Sequence, residues 1–259
     1  MDLMEAFQTI EVNNEDALYR IRFNRPEARN TINDRLIEEC HRALDEAESN
    51  ATVVILEGSP EVFCFGADFQ GMQAAAVSGN GPKENNPEPL YALWQRLATG
   101  PFATVAHVRG LANAGGIGFV AACDVVVADV GARFSLSELL FGLLPACVLP
   151  FLIRRIGHQR AHYLTLMTQP ISAEQALQWG LADAIGPDSE AILRKHLLRL
   201  RRLSKPALTR YKNYQSELSG FLNTWKPQAI AANQAVFADR RNMEGILRYV
   251  ETGKFPWEP

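Results

Sequence analysis

The 259-residue sequence has no excess of basic charge: 26 Lys and Arg against 29 Asp and Glu give a net charge of -3. That balance argues against nucleic acid as the main partner, which would call for a basic surface. Cysteine is scarce, at four residues, and Cys40, Cys64, Cys123 and Cys147 are scattered with no C-x-x-C pair. They read as reduced core thiols of a cytoplasmic protein rather than as a disulfide framework or a metal cluster. No window approaches the roughly 20 apolar residues that span a bilayer. The opening Met-Asp-Leu-Met-Glu lacks the basic and apolar regions of a secretion signal. A dinucleotide-type G-x-G-x-x-G is absent, as are metal ligands at a familiar spacing, so neither cofactor nor metal is expected. What remains is an ordinary soluble composition, 47% apolar and 21% charged.

The chain opens with a β pattern. In residues 17–23, ALYRIRF, the odd positions are apolar and Arg20 and Arg22 fall on the other face. Asn33 or Asp34 then caps a helix carrying Leu36, Ile37, Cys40, Leu44 and Ala47 on one stripe. The unbroken run TVVIL at 52–56 predicts a strand covered on both faces, hence parallel. Strand, helix and strand recur at 104–108, 115–123 and 124–128, which indicates an α/β domain of stacked units. Residues 71–89 are rich in Gly, Asn, Pro and Ala and read as a long mobile loop or lid. Beyond about 148 the pattern is mostly helical. Ser172-Ala-Glu-Gln175 is a capping box with Gly180 as the stop, and helical periodicity extends over 188–203 and 228–252. The expected division is a catalytic core over 1–190 and a helical region over 191–259.

Two segments can carry chemistry. In FCFGADF, residues 63–69, the small Gly66 and Ala67 let a ligand approach backbone N–H groups closely. In GLANAGGIGF, residues 110–119, a buried strand turns into a helix whose first N–H groups and positive dipole end are free. Either alone is more often tight packing than a site.

Together they resemble a specific family. NRPEARN at 24–30, Gly-Ala-Asp at 66–68, NAGG at 113–116 and FSLSELLFG at 134–142 have the order and spacing of the crotonase (enoyl-CoA hydratase/isomerase) superfamily. The resemblance implies repeated ββα turns followed by a C-terminal helical region that builds homotrimers, often paired into hexamers. It implies an oxyanion hole from the N–H groups of Ala67 and Gly115, holding a thioester oxygen as it becomes an enolate. Hydratases of the family flank the substrate with two glutamates. Here the first of those positions is Gly118 and the second is Glu138, so a single acid/base carboxylate remains. Asp68 and Asn113 are candidate polar helpers or braces, and Tyr91 and Trp94 line an acyl pocket or simply pack. His107, inside an apolar strand, reads as a core histidine.

Around these motifs the chain resembles the first of two hydratase-like enzymes in polyketide β-branching cassettes that follow an HMG-synthase-like enzyme. That resemblance implies dehydration of 3-hydroxy-3-methylglutaryl to 3-methylglutaconyl on an acyl carrier protein, with the phosphopantetheine supplied by the carrier. The alternatives are a general enoyl-CoA hydratase or isomerase acting on acyl-CoA, or a non-catalytic binding or scaffold relative. One further clue concerns the carrier. Residues 191–216 contain no acidic residue but include Arg194, Lys195, Arg199, Arg201, Arg202, Lys205, Arg210 and Lys212. This is either a solvated helix face or a dock for an acidic carrier.

Overall fold

The computed structural model describes residues 6–77 and 86–259. Strands β1 (Ile10–Glu15) and β2 (Leu18–Phe23) form an antiparallel hairpin, turned at Asp16 with φ 57°. Helix α1 (Asp34–Asn50) follows, with the Asn33 side chain accepting from the Leu36 N–H as its cap. Then a unit repeats: a buried strand, a short strand and a helix. It comprises β3 (Val53–Glu57), β4 (Val62–Cys64) and helices α2 (Phe69–Val77) and α3 (Glu88–Thr99). It recurs as β5 (Ala103–Val108), β6 (Leu111–Asn113) and α4 (Gly115–Ala122), then as β7 (Val125–Asp129), β8 (Arg133–Ser135) and a 3₁₀ turn, Glu138–Phe141. Helices α5 (Leu149–Ile156) and α6 (His158–Met167) precede β9 (Ile171–Ser172), α7 (Ala173–Trp179) and β10 (Ala184–Gly186). Helices α8 (Ser189–Leu200), α9 (Lys205–Ser219), α10 (Phe221–Ala238) and α11 (Arg240–Thr252) complete the described residues.

Each unit places its long strand in one sheet and its short strand in another. The large sheet has the order β1-β2-β3-β5-β7-β10 and is parallel after the hairpin; the small one runs β4-β6-β8-β9. This is the α/β architecture of repeated ββα turns. Strand β3 is buried at every residue because helices cover both faces of the large sheet. Val54 and Leu56 face the main core with α1, α3 and α4, whereas Val53 and Ile55 meet Leu193 and Leu197 of α8 on the opposite face. The boundary expected at 190/191 therefore falls inside a helix that belongs to the sheet packing.

Some local expectations need correction. Residues 71–77 continue α2 rather than opening a loop, and 78–85 of the expected mobile segment lie outside the described residues. The stretch 228–252 is two helices, broken where extended Asp239 caps α11 by accepting from the Arg241 N–H. Helix α9 escaped the periodicity because its sequence is polar on most faces. Its anchor is Lys212, whose ammonium lies 2.6 Å from both oxygens of Asp124. No helix of the described residues is long and apolar enough to cross a membrane. All four cysteines are free and buried, and burial pushes the thiols of Cys64, Cys123 and Cys147 up to about 12, so they are inert at neutral pH.

Lys212 is buried, but the Asp124 side chain is 30% exposed and also accepts from the Thr104 N–H, so truncating Lys212 leaves a carboxylate that water and Thr104 still satisfy. Lys212→Met is expected to lower unfolding stability by about 1 kcal/mol, read by urea denaturation.

Candidate active site

The first catalytic segment leaves the small sheet at β4. Ile32 forms a parallel bridge with Ala67: the Ile32 N–H donates to the Gly66 carbonyl at 2.8 Å, and the Asp68 N–H donates to the Ile32 carbonyl at 3.1 Å. The residue between those two bonds turns its own N–H the other way, so the Ala67 N–H points away from Ile32. Ala67 is exposed. Asp68 is committed to structure. One oxygen accepts from the Arg25 guanidinium at 2.7 Å and the other from the Gly71 N–H at 2.9 Å, which caps α2. Its expected role as a polar helper reduces to bracing.

The second segment is the β6–α4 turn. Ala114 has φ 51° and ψ -121°, a region that costs a residue with a side chain on the order of 1–3 kcal/mol. It is held there by its N–H, which donates to the Ser135 carbonyl at 3.0 Å. Gly115 follows as the first residue of α4, so its N–H has no carbonyl a turn earlier to bond. The two segments touch through glycine. A β-carbon on Gly66, at φ 101°, would lie 2.7 Å from the Ala114 β-carbon and 3.5 Å from the Gly115 nitrogen. Only the missing side chain lets the two N–H-bearing turns approach.

Asn113 joins these turns to the carboxylate. Its Nδ2 donates to the Phe65 carbonyl at 3.2 Å and to Ser137 Oγ at 3.0 Å, while its Oδ1 accepts from Ser135 Oγ at 2.6 Å. With both ends engaged, Asn113 is a brace. Ser137 immediately precedes Glu138, the first residue of the 3₁₀ turn. Burial pushes the Glu138 carboxyl up to about 7, opposed only in part by the nearby backbone N–H groups of Ser137 and Glu138 itself. Its Oε2 is among the four buried side-chain polar atoms that lack a partner among the described residues. A carboxyl in that condition is poised as either acid or base near neutrality.

Of the two aromatic candidates, Tyr91 is core. It is fully buried against Phe151, and its hydroxyl donates to the Leu222 carbonyl at 2.7 Å. Trp94 packs against Phe119 and Phe151 and is also buried, but its Nε1 is another of the four unpartnered atoms. A β-carbon on Gly118 would sit 2.4 Å from Cζ2 and 2.6 Å from Cε2 of this indole. The glycine at 118 is thus demanded by Trp94.

Sequence reasoning missed the support from the C-terminal helices. Asn242 of α11 donates to the carbonyls of Gly142 and Val236, and Phe141 packs its ring on Phe69, Tyr249 and Phe255. The helix after Ala67 and the turn bearing Glu138 are clasped by one aromatic cluster. The scattered aromatics of 249–257 were the available signal.

The basic run divides. Arg194, Lys195, Arg199, Arg201 and Arg202 are exposed, whereas Lys205 donates to the Ala51 carbonyl at 2.8 Å. Helix α8 lies on the outer face of the large sheet, while Ala67, Gly115 and Glu138 lie on the elements of its inner side. His107 is buried between Glu57 at 2.8 Å and Ser189 at 2.9 Å. Glu57, His107 and Glu190 could together offer ligand atoms to a cation. Arg20 already places its guanidinium 2.6 Å from Glu57 and 4.0 Å from Glu190.

With its fold of repeated ββα turns and these motifs in place, the chain belongs to the enoyl-CoA hydratase/isomerase family, whose model matches residues 13–259. It is 57% identical over 259 residues to the bacillaene synthase dehydratase PksH of Bacillus subtilis, covering 100% of this chain and 99% of that one. A crystal structure of the B. subtilis polyketide-biosynthesis enoyl-CoA hydratase PksH superposes with a TM-score of 0.94 at 56% identity, over 97% of this chain and 100% of that chain. An enoyl-CoA hydratase from Bacillus halodurans, at 20% identity, shares the fold with a TM-score of 0.82 over 93% and 99% of the two chains.

The raised Glu138 carboxyl has a consequence for stability. The folded state binds this proton more tightly than the unfolded chain does, with values of about 7 against 4.5. Relative to a neutral residue, Glu138 therefore costs nothing below pH 4.5 and costs increasingly up to and through pH 7, reaching about 3 kcal/mol. Glu138→Gln should raise the melting temperature at pH 8 and leave it unchanged at pH 4.

Proposed function

We propose that this chain is a hydro-lyase of polyketide β-branching that dehydrates 3-hydroxy-3-methylglutaryl to 3-methylglutaconyl on an acyl carrier protein. The observation that carries this reading is Glu138, whose Oε2 is buried without a partner among the described residues, on a turn that the Asn113 amide ties to the segment before Gly66, with Trp94 packed over Gly118 where a second carboxylate would start. The likeness to PksH, described as a dehydratase of bacillaene synthase, supports the pathway and the direction.

The residues account for each bond. The Ala67 and Gly115 N–H groups bind the thioester oxygen and stabilise the enolate as Glu138 removes the α-proton. The Cα–H pair then forms the Cα=Cβ bond, the Cβ–O bond breaks with its electrons going to oxygen, and the proton held by Glu138 passes to that oxygen, which leaves as water. A carboxyl near 7 serves both halves, because it is ionised often enough to accept the proton and acidic enough to return it. No added cofactor enters this balance; the carrier's phosphopantetheine presents the thioester. A trimer or a pair of trimers belongs to the same reading, supported by the exposed apolar Tyr163, Leu166 and Met167 of α6.

The reaction is tested by mass spectrometry of the carrier-bound substrate. Loss of water is expected, and loss of water with carbon dioxide would assign the chain to the decarboxylating branch. Glu138→Gln should cut turnover by about 10³-fold, and wild-type kcat/KM should rise with pH through about 7 as the base ionises.

Carrier docking on α8 is supported by its exposed Arg194 and Arg199 and by the exposed Leu198, 65% accessible. Reversing Arg194 and Arg199 to Glu should raise KM for the carrier-bound substrate but not for a pantetheine thioester. An unchanged KM would remove α8 from the docking surface and favour a carrier approach on the inner side of the sheet.

A further inference from the structure

We propose that the indole N–H of Trp94 is the second polar group of the active site, donating a hydrogen bond to the β-oxygen of the substrate as the Cβ–O bond breaks. This rests on the dehydratase reading above and adds a residue to it. Buried indole N–H groups almost always find an acceptor. Trp94 is 1% exposed and its Nε1 has none among the described residues. The surroundings locate that edge of the ring. Cε2, which bears Nε1, lies 2.6 Å from where a β-carbon on Gly118 would stand, and Cζ2 lies 3.9 Å from the corresponding point on Gly115. The indole therefore runs along the first turn of α4, beside the residue whose N–H forms half of the oxyanion hole. It fills the space from which a side chain at 118 would start.

Two buried groups of opposite character are left without partners among the described residues on segments the family motifs single out: Glu138 Oε2 and the donor Trp94 Nε1. One ligand oxygen could complete both, accepting the Trp94 N–H and receiving the proton held by Glu138. A hydroxyl oxygen leaving with a developing negative charge has that character. A neutral donor also differs from a carboxylate at 118 in two useful ways. It cannot hold and activate a water as a base, and it does not repel an acyl group that carries its own distal carboxylate. The Trp94–Gly118 pair thus selects for a β-hydroxy substrate with an anionic tail.

The test uses Trp94→Phe, which keeps a ring and removes the N–H, and two substrates. One is the 3-hydroxy-3-methylglutaryl carrier thioester, followed for loss of water. The other is the 3-methylglutaryl carrier thioester, which lacks the β-hydroxyl, followed for α-proton exchange in D2O by mass spectrometry. We expect Trp94→Phe to lower kcat for dehydration by about tenfold or more with its exchange rate near that of wild type. Unchanged dehydration would overturn the proposal, and so would dehydration and exchange falling together, which marks a packing role. Glu138→Gln separates the two readings: it should abolish exchange as well. If it exchanges normally, the assignment of the base fails whatever Trp94→Phe does.

Discussion

Three stretches of chain far apart in sequence must meet within hydrogen-bonding range for this site to exist, and the Asn113 amide is what fixes their meeting. It grips the carbonyl just before Gly66, the hydroxyl just before Glu138 and, through its oxygen, the hydroxyl of Ser135. These contacts lie at or just beyond the ends of β4 and β8, so that end of the small sheet becomes a common datum for the two turns and the carboxylate. The strained Ala114 and the glycine contact at Gly66 follow from it: a tight amide bridge leaves no room for extra atoms and no freedom to relax the turn.

The Glu138 carboxyl has no ionic partner among the described residues. A compensating arginine or lysine would hold it permanently ionised and make it a poor acid. Arg133, the arginine nearest it in sequence, donates to the carbonyls of Gly131 and Ala132. Arg25 binds Asp68, and Arg154 and Arg155 take the carbonyls that end α4. Cationic groups thus stabilise the scaffold while the reacting carboxyl is left dry.

Much of this was legible beforehand because it is local. Strands 53–57 and 103–108 announced themselves as uninterrupted apolar runs, and Asn33 and Ser172 as caps, since a few neighbouring residues suffice to specify such features. Ala67, Gly115 and Glu138 were singled out through family motifs, and the segments that carry them are tied to one another through Gly66 and Asn113. The roles of Asp68, Asn113, Tyr91 and Trp94 were not decidable from sequence. Each depends on a partner tens of residues away: Arg25 for Asp68, Leu222 for Tyr91, and Gly118 for Trp94. Helix α9 was missed for the same reason, because much of its hold is polar and long-range, Lys212 on Asp124 and Lys205 on the Ala51 carbonyl, rather than an apolar stripe.

The clasp of α11 on the catalytic turn also has a meaning in time. Asn242, which bonds the Gly142 carbonyl, is synthesised 100 residues after it. A chain growing from the ribosome can therefore assemble both sheets, and even close the Asn113 bridge, well before the turn bearing Glu138 receives its outer support. Catalytic competence should arrive late in synthesis, as an abrupt final step, sparing the cell a half-made enzyme able to act on thioesters before it has finished folding.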